Sequence, residues 1–446
     1  MSDNYMQTSI FDMLYKEYKI EKPIRLIELF AGYGSQYFAL KYINANVEHY
    51  KICEWAVKSI QAYNDAHVQD YTDYSKEFSD GEIIDKLVNM GISINYNDPA
   101  TKEQIKRKRY RKIYNNIIAT NNLVNIQNAK GEDFEIKDKE KFTYLLTYSF
   151  PCQDLSLAGL RKGMCDTTTR SGMLWEVERI LKELKEKEQL PDILLMENVP
   201  QVHSQENVAD FNKWQYELEK MGYKNYFQDL IATDYGIPQT RNRCFMVSIL
   251  GDYVYNFPPK QKLEIKLKDM LENEVDEKYY LSDKQIKDIK NWNAYQKPLE
   301  NMQQIEKQNL CPTITTRSGA YSSSIILVKD EDGKNIQMNC RTWKQDKVIG
   351  TYQYSKSDKF MQGKPRLRIG KEVIDTILTT QKEGIVNNDL TIRKLTPKEC
   401  FRLMGVKDSD FEKIAKNQSE SSLYHLAGDS IVVNVLMAIF LQFFKN

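Results

Sequence analysis

The stretch SFPCQDLSLAG, residues 149–159, places Cys152 directly after a proline at the end of the apolar run FTYLLTYSF (142–150), which reads as a buried strand. The C-terminal ends of such strands are where open α/β sheets hold their active sites. A thiolate is a soft nucleophile suited to conjugate addition, and its pKa, about 8.5 when free, falls near cations or helix N-termini. A lone cysteine is more often buried and inert, so its companions decide. MENVP (196–200) puts Glu197 at the tip of another strand, where a carboxyl can protonate or hydrogen-bond a ring nitrogen. QTRNRCFMV (239–247) sets Arg241 and Arg243 on one face of an extended segment, since alternate residues point the same way. Two guanidiniums beside a cysteine favour the thiolate and can hold a phosphate or a base carbonyl; a solvated salt-bridge pair is the plain alternative.

A second constellation precedes these. IRLIELFAGYGSQYFALKYI (24–43) reads as a buried strand, a tight turn and a helix. Gly32 and Gly34 let the backbone approach a ligand, and the helix N-terminus offers unpaired N–H groups. Glu54, at the end of the next apolar run, stands where an acidic side chain receives ribose hydroxyls in nucleotide-type folds, and Trp55 beside it could lie flat on an adenine. Tyr37 occupies the third glycine position of G-x-G-x-x-G, which disfavours a nicotinamide dinucleotide. A βα turn without a ligand is the competing reading.

The elements that must position these residues are the apolar run that opens 24–43 and strand-like runs at 47–55, 142–150, 192–199 and 243–250, separated by polar or helix-patterned sequence such as SGMLWEVERILKELKEKE (171–188). That alternation predicts a doubly wound, mostly parallel α/β sheet. Residues 69–122 form a polar insertion with the basic run Lys106–Lys112, read as a partly helical lobe with a solvated face. From 251 the texture turns Lys/Asn/Gln-rich with short β-like pieces. At 393–405 a capped helical pattern resumes, and GDSIVVNVLMAIFLQFF (428–444) reads as a buried helix returning to the first domain. A catalytic domain (1–250), an inserted smaller domain (251–390) and a completing C-terminal segment (391–446) follow. Lys+Arg 63 against Asp+Glu 62 leaves a net charge of +1, so a nucleic-acid surface must come from local asymmetry. Residues 341–371 supply one, with nine basic and two acidic side chains. Seven scattered cysteines without a C-x-x-C pair, and four histidines without ligand spacing, argue against disulfides and zinc. No apolar run approaches the roughly 20 residues of a membrane span, and no signal peptide is visible, so an intracellular, cytoplasmic protein is expected.

In their order ELFAGYGS, CEW, SFPCQDLSLAG, MENV, QTRNR, RKLTPKECFRLMG and GDSIVVNV, the motifs of this chain resemble those of the cytosine-C5 DNA methyltransferase family, of the prokaryotic or phage restriction-modification type. The resemblance implies a methyltransferase fold with an inserted target-recognition domain, S-adenosyl-L-methionine as cofactor, and double-stranded DNA as substrate. It also implies a monomer without metal, and a cognate restriction endonuclease acting on the same site as a partner. By that resemblance the donor is held by Phe30, Gly32, Gly34, Glu54 and Trp55, with Asp429 and Ser430 closing the pocket. The family aspartate that reads the adenine amino group falls on Asn125. Cys152 becomes the nucleophile, Glu197 meets the cytosine N3 edge, and Arg241 and Arg243 grip the flipped nucleotide. Ser35 and Asp429 depart from the usual glycine and asparagine.

The implied chemistry is addition of Cys152 to C6 of a flipped-out cytosine, with Glu197 stabilising charge at N3, so that C5 becomes enamine-like and takes the methyl group. A tRNA methyltransferase sharing the motifs, and a non-catalytic DNA-binding relative, are the alternatives. The 140 residues of 251–390 exceed what a small RNA adaptor needs, and the intact Cys152, Glu197, Arg241 and Arg243 speak against a decayed enzyme.

Overall fold

The computed structural model of the protein describes residues 16–151, 171–280, 348–354, 366–369, 382–387 and 392–444. Six strands form the central sheet: β1 (Ile24–Leu29), β2 (Val47–Cys53), β3 (Thr143–Tyr148), β4 (Ile193–Asn198), β5 (Tyr223–Ile231) and β6 (Asn242–Leu250). Their spatial order is β2-β1-β3-β4-β6-β5, and β6 runs antiparallel to both β4 and β5 while the β1, β2, β3 and β4 pairings are parallel. This is the doubly wound arrangement that the alternating pattern predicts. Strand β5 falls outside the expected runs. Its residues, YKNYFQDLI, alternate poorly and stay largely half-buried, so the period-2 signal is absent at this sheet edge.

The apolar strands divide their side chains between two cores, as period 2 requires. Ile24, Leu26, Leu145, Leu195 and Val247 face one core, which is filled by Phe38, Phe401 and Leu436. Ile27, Leu29, Leu146, Met196 and Met246 face the other, against Val177, Ile180, Phe211 and Trp214. The first layer holds α1 (Ser35–Tyr42); the second holds the helices α6 (Leu174–Glu186) and α7 (Val208–Met221). Between β2 and β3 the insertion folds as α2 (Val57–Tyr63), α3 (Asp80–Met90), α4 (Lys102–Lys106) and α5 (Tyr110–Ala119), around a small core of its own that includes Ile83, Leu87, Ile105 and Ile117. In the basic run Lys106 pairs with Glu103, Arg111 with Asp80, and Lys112 Nζ donates to Asn417; Arg107, Lys108 and Arg109 are exposed.

After the inserted domain come α8 (Pro397–Leu403), α9 (Asp408–Ala415), α10 (Glu420–Asp429) and α11 (Val433–Leu441). As expected, the apolar C-terminal segment is a core element: α11 packs against α1, and Ile20 N donates to Phe443 O at 3.1 Å. The stretch Glu420–Leu441 is long and apolar enough to span a membrane, yet most of its apolar part is buried inside the protein. The second domain contributes a four-stranded antiparallel sheet in which β7 (Val348–Tyr354) lies between β8 (Arg366–Ile369) and β9 (Lys382–Asn387), and β10 (Ile392–Lys394) flanks β9. The expected β-pieces at PTITTRSG, SSSIILVK and DTILTTQ, and most of the basic stretch 341–371, lie outside the described residues. Residues 251–271, expected in the second domain, belong physically to the first. Tyr255, Leu267 and Leu271 are buried in its core and Tyr255 Oη donates to Ile439 O at 3.0 Å, a packing that three apolar residues dispersed in polar sequence do not announce.

Under β1 the Glu28 carboxyl is wholly buried and accepts from Tyr63 Oη at 2.5 Å. Burial pushes its pKa from the ordinary 4.5 to about 8. Between those values the unfolded chain ionises this group while the folded chain keeps its proton, so stability is lost as pH rises through the window. Glu28→Gln, neutral and of the same shape, should therefore gain stability over the natural protein as pH rises from about 5 to 8, by at most about 1.4 kcal/mol per pH unit. Denaturant titrations of both proteins across this range check it; a constant difference would refute it.

Candidate active site

The donor-side residues converge at the C-terminal ends of β1 and β2. Phe30, Gly32 and Gly34 all adopt the left-handed backbone, with φ of 57°, 56° and 82°. A Cβ on Gly34 would lie 2.5 Å from His67 Nε2, whereas one on Gly32 would meet nothing within 4 Å. The turn is therefore packed on one side and open on the other, a cradle that an adenosyl group can fill. Gly32 N donates to Glu54 Oε2 at 2.9 Å, and Ala56 N donates to Glu54 Oε1 at 2.7 Å. Burial pushes the Glu54 carboxyl up to about 7 in spite of these two bonds, and the Asp429 charge adds to the shift. Trp55 is half-buried against the core of the inserted lobe.

Sequence reasoning missed the residue that aims Glu54. Asn122 Oδ1 accepts from Glu54 N at 3.0 Å while its Nδ2 donates to Glu54 O at 2.9 Å, and no motif singles it out among the asparagines of NNLVNIQN (121–128). Asn125, the expected adenine reader, has Oδ1 accepting from Gln127 N at 3.0 Å, so its carbonyl already closes a local turn.

From the far end of the chain, Ser430 reaches the glycine turn: Tyr33 Oη donates to Ser430 Oγ at 2.8 Å, and Ser430 Oγ donates to Ala427 O at 2.9 Å. Asp429 turns outward, its Oδ2 2.7 Å from His425 Nε2. Arg241, 4% exposed, sends Nη2 to Ser430 O at 2.7 Å and Gly428 O at 3.3 Å. Expected to grip a nucleotide, this guanidinium instead braces the α10–α11 turn.

The catalytic side lies one strand pair away. Glu197 ends β4 nearly buried, with Oε1 3.1 Å from Arg243 Nε. Burial raises its pKa; the charges of Arg243 and Arg241 oppose this without cancelling it. The carboxyl can thus hold a proton beside a fixed cation. Asn198 Nδ2 donates to Phe150 O at 3.0 Å, which fixes the chain two residues before Cys152. Cys152 itself lies outside the described residues.

Two other features bear on the reading. His203 Nε2 meets Asp229 Oδ1 at 2.9 Å beside Cys244, a grouping of metal-ligand residue types that sequence spacing does not reveal because it forms across β5 and β6. A depression of about 810 Å³ around Gly222, Tyr226 and Asp252 sits at the opposite end of β5 and β6 from Glu197, and so is not this site.

Residues 99–445 match the family described as C-5 cytosine-specific DNA methylase. The chain is 31% identical over 432 residues to the type II methyltransferase M2.ScrFI of Lactococcus lactis subsp. cremoris, covering 95% of this chain and 99% of that one. It is 38% identical over 271 residues to the orphan methyltransferase M.SssI of Spiroplasma monobiae, covering 58% and 68%. Among solved structures, S. pombe Dnmt2 methyltransferase shares the fold with a TM-score of 0.52 at 17% identity, covering 94% of this chain and 98% of that one.

Gly34→Ala adds a clash with His67 to the strain of a positive φ, and should cost about 2 kcal/mol or more of stability; Gly32→Ala carries the strain alone and should cost less. Both should weaken donor binding. Chemical denaturation orders the two variants, and equal stability would contradict the packing described.

Proposed function

Because this chain belongs to the C-5 cytosine-specific DNA methylase family, we propose that its DNA methylation proceeds through a covalent Cys152–C6 adduct on a flipped-out cytosine. The protein is a sequence-specific DNA cytosine-C5 methyltransferase that uses S-adenosyl-L-methionine. When bound, that donor supplies the methyl group to C5 as a sulfonium electrophile. Phe30, Gly32 and Gly34 shape its cradle, Glu54 receives the ribose hydroxyls, Trp55 covers the adenine, and Ser430 holds the turn closed.

The observation that carries the catalytic reading is Glu197: a buried carboxyl with a raised pKa, set against Arg243 at the end of β4 and next to the Asn198–Phe150 tether of the Pro151–Cys152 segment. The Cys152 sulfur forms a bond to C6, the ring electron pair moves toward N3, and Glu197 donates its proton there. Arg243 holds the Glu197 carboxyl in place and Arg241 braces the wall behind it. After methylation, loss of the C5 proton to water expels the thiolate, the N3 proton returns to the Glu197 carboxylate, and the aromatic ring is restored.

The inserted domain reads the sequence, and the basic stretch 341–371 contacts phosphate; its +7 excess on a chain of net charge +1 supports this. The type II name of M2.ScrFI supports a place in a restriction-modification system with a cognate endonuclease for the same site, whereas M.SssI and the Bacillus phage SPR relative are named orphan methyltransferases; their bacterial and phage sources support a cytoplasmic protein.

Cys152→Ala should abolish methyl transfer while S-adenosylmethionine binding persists, and duplex carrying 5-fluorocytosine should trap the natural enzyme as an adduct that survives denaturation. Turnover of Cys152→Ala within tenfold of the natural protein would overturn the covalent step. Changing Lys364, Arg366 and Arg368 together to Gln should flatten the log–log salt dependence of DNA binding by about 0.9 for each phosphate that is no longer neutralised. An unaltered slope in a salt series of binding titrations would remove this stretch from the DNA surface.

A further inference from the structure

Close enough to the carboxyls of Glu54 and Asp429 to feel their charge stands a residue that no motif contains. Loop 92–100 of the inserted lobe is joined to the turn after β2: Ser93 N donates to Trp55 O at 2.7 Å, Val57 N donates to Ser93 O at 2.9 Å, and Ala56 and Ser93 form a parallel bridge. Across the loop Ser93 pairs with Pro99, its hydroxyl donates to Asp98 O at 2.8 Å, and Asn95 Oδ1 accepts from Asn97 N and Asp98 N at 2.9 and 3.0 Å. This leaves Tyr96 at the tip with φ of 66°. An aromatic residue is strained there and stays only where its surroundings impose the conformation, a condition met most often at ligand sites.

The Tyr96 ring lies against His425, with centroids 3.9 Å apart and planes at 43°, and His425 in turn meets Asp429. The phenolic oxygen is shielded from solvent and has no well-aligned hydrogen bond among the described residues. Its near neighbours are the hydroxyls of Ser59 and Ser422, and the Ser422 proton already goes to Gln418 Oε1 at 2.7 Å. Burial, and then the charges of Asp429 and Glu54, push the phenol well above its ordinary pKa. Tyr96 is therefore a neutral O–H donor, its oxygen shielded and without a well-aligned partner, within reach of the charges of Asp429 and Glu54.

We propose that the inserted lobe forms one wall of the donor pocket and that Tyr96 is a cofactor-contacting residue, its hydroxyl hydrogen-bonding the ribose of the adenosyl group beside Glu54. The proposal rests on the assignment of Glu54 and Trp55 to the adenosine. It gives the insertion between β2 and β3 a task in holding the donor, and it accounts for the strained tip, the stitched loop and the unspent hydroxyl together.

The test is calorimetric titration of the full chain with S-adenosylhomocysteine, and with its analogue lacking both ribose hydroxyls. Tyr96→Phe removes only the hydroxyl and should weaken S-adenosylhomocysteine binding about tenfold, leaving duplex affinity and the melting temperature of the free protein unchanged. For the dideoxy analogue, Tyr96→Phe and the natural protein should bind alike. An equal loss for both probes would assign the effect to pocket shape and overturn the hydrogen bond. Natural affinity in Tyr96→Phe and Tyr96→Ala, with affinity lost in Glu54→Ala, would overturn the role of Tyr96 alone. Natural affinity in Glu54→Ala and Trp55→Ala as well would bring down the donor assignment beneath it.

Discussion

A single guanidinium, that of Arg241, holds together parts of the chain that are far apart in sequence. It enters from the start of β6 and donates to the carbonyls of Ser430 and Gly428, 189 and 187 residues away. The same Ser430 accepts from Tyr33 at the glycine turn, 397 residues distant. Removing such a charge-bearing partner from a buried network leaves polar groups unsatisfied at a cost of about 1–3 kcal/mol each. Its two bonds hold the C-terminal segment where Ser430 meets the glycine turn, and its charge forms part of the potential felt by Glu197. The glycine turn and the surroundings of Glu197 are thus linked through one side chain.

Three buried carboxyls show how one physical effect serves different ends. Burial raises the pKa of Glu28, Glu54 and Glu197 alike, but their partners differ. Glu28 meets a phenol beneath the sheet and titrates without a role at the site. Glu54 meets two backbone N–H groups that aim it at the cradle. Glu197 meets Arg243, so that it can carry a proton yet stays close to a compensating charge, the condition for donating to a ring nitrogen.

The passage to the second domain is sealed separately. Arg393 and Glu399, both wholly buried, form two bonds of 2.7 Å, and Glu399 also accepts from Thr396 N and Glu272 N at 2.8 Å. Departing and returning chain segments are pinned at one point. In the sequence this appears only as a capping pattern, TPKE; that its glutamate also neutralises a buried arginine is a tertiary fact.

The alternation of apolar runs and helical spacing, the glycines of the first turn, and the placing of Glu197 at the end of a strand were legible in the chain itself, because strand and helix periods and tight turns are local properties. The order of the motifs carried the chemistry and the donor. What folding alone decided was convergence. Arg241 lies next to Arg243 in the sequence pattern, yet one braces the α10–α11 turn and the other meets Glu197. Asn122 and Tyr96 sit in polar sequence without a motif, yet the first aims Glu54 and the second packs its ring on His425 of α10 from the inserted lobe. Residues 251–271 look like the second domain and pack in the first core. A side chain's partner is set by packing between segments separated by up to hundreds of residues, and composition and spacing hold no record of that packing.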